Sequence, residues 1–154
     1  MASFGDLDEA EARALMAMPS VCNDILPWVG KRAGGLVYCA GAGLLDSLGN
    51  VRGLYVDLSV SKSEKTDIRR TLFSVFKTGA RGLARCHQLD IKHYPRLPVN
   101  EHSWPHDHFG EPRFQTQRDW VNWSFDQALS RFKSSTLITF DPEPYDPFEF
   151  RLES

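Results

Sequence analysis

The chain has 154 residues, 18 basic and 20 acidic side chains, and a net charge of −2. That length fits one domain, and 42% apolar content supports a packed core and excludes global disorder. The near-neutral charge excludes binding of nucleic acid by bulk electrostatics, and no run of 18 apolar residues offers a membrane span.

The first expected element is an amphipathic helix over residues 4–18, with Asp6 and Glu9 as a capping box and Leu7, Ala14, Leu15 and Met18 near one face. Pro19 ends it, because the residue before a proline is pushed out of helical geometry. The acidic start lacks the basic and apolar regions of a secretory signal, so the expected location is the cytoplasm. Trp28-Val29 suggests a short strand, and Gly35–Asp46 (GLVYCAGAGLLD) reads as a buried strand ending in a turn. Its glycines match neither the Walker pattern nor the dinucleotide pattern.

A three-strand meander is expected next. Gly53–Ser61 alternates Leu54, Val56, Leu58 and Val60 against Tyr55, Asp57 and Ser59. Arg69–Lys77 alternates in the same way, and Thr78–Gly82 supplies a hairpin loop. Leu83–Ile91 then places Leu83, Arg85, His87, Leu89 and Ile91 on one face and Ala84, Cys86, Gln88 and Asp90 on the other. Prolines break the stretch Tyr94–Pro105 into loop. Ser124–Lys133 is a helix, capped by Ser124 with Gln127 and striped by Phe125, Ala128, Leu129 and Phe132. A short strand is expected at Thr136–Phe140. An acidic tail over 141–154 follows, with Phe148, Phe150 and Leu152 alternating as a final edge strand. These elements give an α+β fold: an antiparallel sheet of four to six strands, spanning about 35–91 in the main, with an N-terminal helix and a helix near 124–133 packed on one side. Cys22, Cys39 and Cys86 form no CxxC pair and read as free thiols of a reducing compartment.

All five histidines lie between Cys86 and Phe109, and a His-rich loop is expected over 92–110. In an extended segment His106 and His108 project to the same side, with Asp107 opposite. Three chemistries fit such a cluster. A metal site would draw on His106 and His108 with His93, His102, Asp90 or Glu101, and a divalent metal there stays open although no cofactor is expected. Metal-free RNA cleavage would use the histidines as acid and base, with cations to hold phosphate. Seven nearby cations, Lys62, Lys65, Arg69, Arg70, Lys77, Arg81 and Arg85, stand against Glu64 and Asp67 alone. In the third reading the histidines cap backbone groups and pack on Trp104 and Tyr94.

The segments Leu89-Asp90-Ile91-Lys92-His93-Tyr94-Pro95 and Trp104-Pro105-His106-Asp107-His108, followed by the helix at Ser124–Lys133, resemble TumE-like toxins of bacterial toxin–antitoxin modules over residues 83–133. Ile91 stands where that family has asparagine. The resemblance implies a growth-inhibiting protein that acts on RNA or translation and is neutralised by an antitoxin or other protein partner. The expected site is then His106 and His108 as an acid–base pair, His93 or Asp90 orienting them, and Arg70 or Arg85 binding phosphate. The alternative is a binding protein, phage- or mobile-element-encoded, that inhibits a host complex through its acidic tail and aromatic loop.

Overall fold

A computed structural model describes residues 6–23, 27–32, 34–79, 82–93, 105–115, 121 and 123–149. Nine strands and two helices follow in the order α1 (Glu9–Met16), β1 (Ser20–Cys22), β2 (Val29–Arg32), β3 (Gly35–Leu45), β4 (Val51–Ser63), β5 (Arg69–Gly79), β6 (Gly82–His93), β7 (His106–Phe109), β8 (Arg113–Gln115), α2 (Phe125–Thr136) and β9 (Ile138–Phe140). They form one sheet in the order β8-β7-β6-β5-β4-β3-β1-β9, with β2 also paired to β3. Pairing is antiparallel except between β1 and β9. The fold is α+β, with nine strands in place of the expected four to six. The additions are mostly pieces of three or four residues, too short to show alternation in a sequence window.

The long central strands alternate as their sequences require. Leu54, Val56, Leu58 and Val60 of β4 meet Thr71, Phe73 and Val75 of β5 and Leu89 and Ile91 of β6, all buried. Ala40, Ala42 and Leu44 of β3 extend this face. Helix α2 lays Phe125, Ala128, Leu129 and Phe132 on it, with Phe73 edge-on to both phenylalanines. The Ser124–Gln127 capping box forms as the sequence indicates, although the helix runs on to Thr136.

Helix α1 covers the β6–β7 end of the same face, burying Ala12 and Met16. It is shorter than the expected 4–18, and its cap is Asp8, whose side chain accepts from the Glu11 N–H at 2.8 Å. Asp6 is drawn away from capping by Arg85, 3.1 Å from its carboxylate. Leu7 joins the sheet edge by donating to the Arg85 carbonyl. Gly110 (φ +67°) closes against it so tightly that a Cβ would collide with the Leu7 carbonyl.

The described part of the acidic tail, residues 141–149, belongs to this roof. Asp146 accepts two hydrogen bonds from Arg69, at 2.8 and 2.9 Å, Phe148 packs edge-on against Tyr38, and the Tyr145 carbonyl accepts from Trp28. The expected edge strand is a turn at 147–149, and Phe150 and Leu152 lie outside the described residues. So does most of the Tyr94–Pro105 loop, with His102 in it. No described helix is long and apolar enough to cross a membrane. Cys22 and Cys86 are buried, Cys39 is half-buried, and none is in a disulfide. Burial pushes the Cys86 thiol up to about 11, so it stays protonated and unreactive.

One register break decides which side chains share a face. Val75 pairs with His87 but Phe76 pairs with Arg85, so Cys86 is an extra residue on β6. The strict alternation expected over Leu83–Ile91 therefore fails at its start. Cys86 and His87 both enter the core, and Arg85 falls on the opposite face with Gln88 and Asp90.

His87 is 1% exposed and packs between Phe109 and Phe132, with ring centroids 4.7 and 5.6 Å away. Burial first, then the Arg131 charge, pushes its pKa down to about 3. The unfolded chain takes up a proton near pH 6.5 that the native state refuses, so stability is fully present above pH 6.5 and drains away towards pH 3. Denaturant titrations should show this residue alone costing about 1.4 kcal/mol per pH unit in that window. His87→Leu should reduce the slope by about one proton. A slope that the substitution leaves unchanged contradicts neutral burial.

Candidate functional site

With both helices and the described tail on one face, the other face of β3–β8 carries a polar array. The register sets it out in rows. Val37, Ser61, Arg70 and Lys92 form the first, and Cys39, Ser59, Leu72, Asp90 and His106 the second. Gly41, Asp57, Ser74, Gln88, His108 and Arg113 form the third, and Gly43, Tyr55, Phe76 and Arg85 the fourth. Successive rows are about 7 Å apart, two residues of strand rise.

Strand β7 is what brings the histidines here. It pairs His106 with Asp90 and His108 with Gln88, and turns Asp107 into the roofed side. The segment expected as loop is thus a strand at its His106–Phe109 end. The two histidine rings stand 5.2 Å apart, centroid to centroid, at 79°. His106 Nε2 lies 3.6 Å from Asp90 Oδ2. The Asp90 carboxylate is itself held by Arg70, which donates from Nε at 2.9 Å and Nη2 at 2.7 Å. This is the two-pronged geometry that suits guanidinium and carboxylate. Asp90 is 7% exposed, and an uncompensated charge at that depth would be costly. Arg70 removes that cost and leaves one carboxylate edge turned to His106.

The third and fourth rows are tied together by hydrogen bonds. Gln88 donates to Ser74 at 3.0 Å and accepts from Arg85 at 3.2 Å, and Arg85 also donates to the Gly110 carbonyl and to Asp6. Burial first, then the charges of Arg85 and His106, pushes the pKa of His108 down to about 4, so its imidazole is neutral at pH 7. Desolvation raises Asp57. Tyr55 reaches across the sheet over Gly41, where a Cβ would collide with the tyrosine hydroxyl.

Of the six residues the sequence nominates, the structure gathers His106, His108, Asp90, Arg70 and Arg85 on one face. His93 is not among them. It pairs with Arg69 and projects into the roofed side, where burial first and the Arg69 charge next lower its pKa. Two residues of offset from Ile91 dictate this, because strand side chains alternate. Arg85 reaches the open face only through the extra residue at Cys86. Sequence reading missed Gln88, Ser74, Tyr55, Asp57 and Lys92 as members of the array. The alternation of β4 and β5 carried the signal, since it places Tyr55, Asp57 and Ser74 opposite the apolar face.

Among the described residues, no group of three or more His, Cys, Asp or Glu side chains is placed to hold a metal ion. The acidic group nearest His106 is committed to Arg70. No family model, curated protein or solved structure matches the chain.

The Arg70–Asp90 pair is half in solvent on the arginine side, 43% exposed against 9%, so screening limits its worth. A double-mutant cycle with Arg70→Met and Asp90→Asn, read by urea denaturation, should give a coupling of about 1 kcal/mol. Asp90→Asn should also shift the His106 ring resonances. Zero coupling with unmoved resonances contradicts the pairing.

Proposed function

We propose that the open face binds single-stranded RNA and cleaves it without a metal. The observation that carries this reading is the convergence of two histidines, a carboxylate and two arginines from β5, β6 and β7 on one polar sheet face. RNA cleavage needs a base at the 2′-hydroxyl, an acid at the leaving oxygen and cations at the phosphate. His108, neutral at pH 7, is suited to the first task. His106, held beside Asp90, is suited to the second in its protonated form. In the reaction His108 removes the 2′-hydroxyl proton, the 2′-oxygen bonds to phosphorus, and the bond to the 5′-oxygen breaks as His106 protonates that oxygen. The products are a 2′,3′-cyclic phosphate and a 5′-hydroxyl. Arg70 and Arg85 stabilise the charge that builds on the phosphate oxygens. Tyr55 and Phe76 in the fourth row offer rings against which unpaired bases stack.

The resemblance over residues 83–133 supports a toxin role in the cytoplasm with an antitoxin as partner. Its strand end, histidine segment and helix fall on β6, β7 and α2, and its loop lies outside the described residues. Growth of bacteria on induction tests both parts. The wild type should arrest growth and degrade RNA, and soluble His106→Ala/His108→Ala should do neither. In vitro, cleavage should fall as pH drops through about 4, where His108 gains its proton, and His108→Ala should lose at least a hundredfold in rate. Equal arrest by wild type and double variant contradicts the catalytic reading.

One observation favours a second reading, a protein that binds and blocks a partner. Leu48 and Val51, at the β3–β4 turn, are 87% and 83% exposed and offer a partner two neighbouring apolar side chains. Because Asp146 and Phe148 belong to the roof, deleting the tail would damage the fold itself. Leu48→Lys/Val51→Lys is the cleaner test: it should leave RNA cleavage intact and weaken any protein complex that uses this turn.

A further inference from the structure

We propose that a pocket at the first-row end of the open face binds a phosphate monoester, and that its ligand is the terminal phosphate of an RNA strand. The second half rests on the RNA-cleaving reading; the first half stands on the pocket alone. The pocket has a volume of about 340 Å³ and is lined by Lys62, Arg70, Lys92, Ser61, Ser63 and Thr66, with the Gly34-Gly35 backbone at its wall. Arg70 and Lys92 are register partners on β5 and β6, so their charges enter side by side.

Among the described residues Lys92 has no acidic partner within ion-pair distance, whereas Lys62 shares the row of Arg69 and His93, on the roofed side. The hydroxyls keep their capacity to donate. Ser63 Oγ accepts from the Lys65 N–H and Thr66 Oγ1 from the Ile68 N–H. Each hydroxyl keeps its own proton for an acceptor in the pocket.

Charge number selects the ligand class. A phosphodiester inside a strand carries one negative charge, whereas a monoester carries close to two at pH 7. Arg70 and Lys92, with two or more hydroxyl donors, suit the dianion. Arg70 links this pocket to the histidines, because the guanidinium that lines it also grips Asp90 beside His106. One row step, about 7 Å, separates the Arg70–Lys92 row from the Asp90–His106 row. A strand anchored by its end phosphate would present a bond close to that end to His106 and His108.

Calorimetric titration of the full chain with inorganic phosphate is the first arm. It should give saturable binding that weakens on acidification, as the ligand gains a proton and loses its second charge. Lys92→Gln and, separately, Thr66→Val should each loosen it, the lysine change by about tenfold or more. His106→Ala/His108→Ala should bind phosphate as the wild type does. The second arm compares one short oligoribonucleotide with and without a 5′-phosphate and with and without a 3′-phosphate, alongside adenosine monophosphate. One phosphorylated end should bind more tightly than its hydroxyl counterpart in the wild type, and the advantage should vanish in Lys92→Gln.

Unsaturable phosphate binding, or equal affinity in Lys92→Gln, overturns the pocket. Tight monophosphate binding with no preference between oligonucleotide ends overturns the RNA-end assignment. Phosphate binding in a chain that cleaves no RNA sinks the ribonuclease reading and leaves the pocket standing. Cleavage without phosphate binding does the reverse.

Discussion

The Asp90 carboxylate is the point on which the open face depends. It sits nearly out of water, where a lone charge is untenable, and it is satisfied by two hydrogen bonds from Arg70. Those bonds fix Arg70 across β5 and β6 and leave one oxygen facing His106. Without Asp90, Arg70 would lose the carboxylate that grips it and His106 would lose its carboxylate neighbour. The pair thus joins the pocket beside Lys92 on one side to the histidines on the other.

The same chain makes opposite use of its histidines, and strand geometry draws the line. His87 and His93 project into the roofed side. There His87 is packed between phenylalanines and stays neutral far into the acid range, a structural filler that penalises acidification. His106 and His108 project to the open side among hydrogen-bonding groups. The division follows from a side-chain period of two, modified at one place. The extra residue at Cys86 sends the thiol into the core and Arg85 out of it. Had β6 run without that bulge, Arg85 would point at the helices and the fourth row would lose its cation.

Much of this was legible in the residues. The alternations of Gly53–Ser61 and Arg69–Lys77 marked the central strands, the Ser124–Gln127 box marked α2, and the spacing of His106 and His108 placed both on one side of an extended segment. What was not legible depended on pairs far apart in sequence. Asp6 meets Arg85 across 79 positions and Arg69 meets Asp146 across 77. Those two ion pairs convert an expected cap residue into a sheet-edge clamp and tie the described part of an expected edge strand into the roof. The bulge had no local mark, because only the partner strand reveals an extra residue. Strand β7 was hidden for another reason. His-Asp-His-Phe between prolines and glycine has little strand propensity of its own, and it is extended because β6 offers it an edge to pair with.

The polar face of the sheet, and not the helical side, is where we propose that the chain meets its substrate. Amide and side-chain NMR shifts of the protein, titrated with a short single-stranded oligoribonucleotide carrying 2′-methoxy groups to block cleavage, test that claim directly. Perturbations confined to Tyr55, Arg70, Gln88, Lys92, His106 and His108 are the result the account predicts. Shifts centred on α1 and α2, or none at all at saturating RNA, would contradict it.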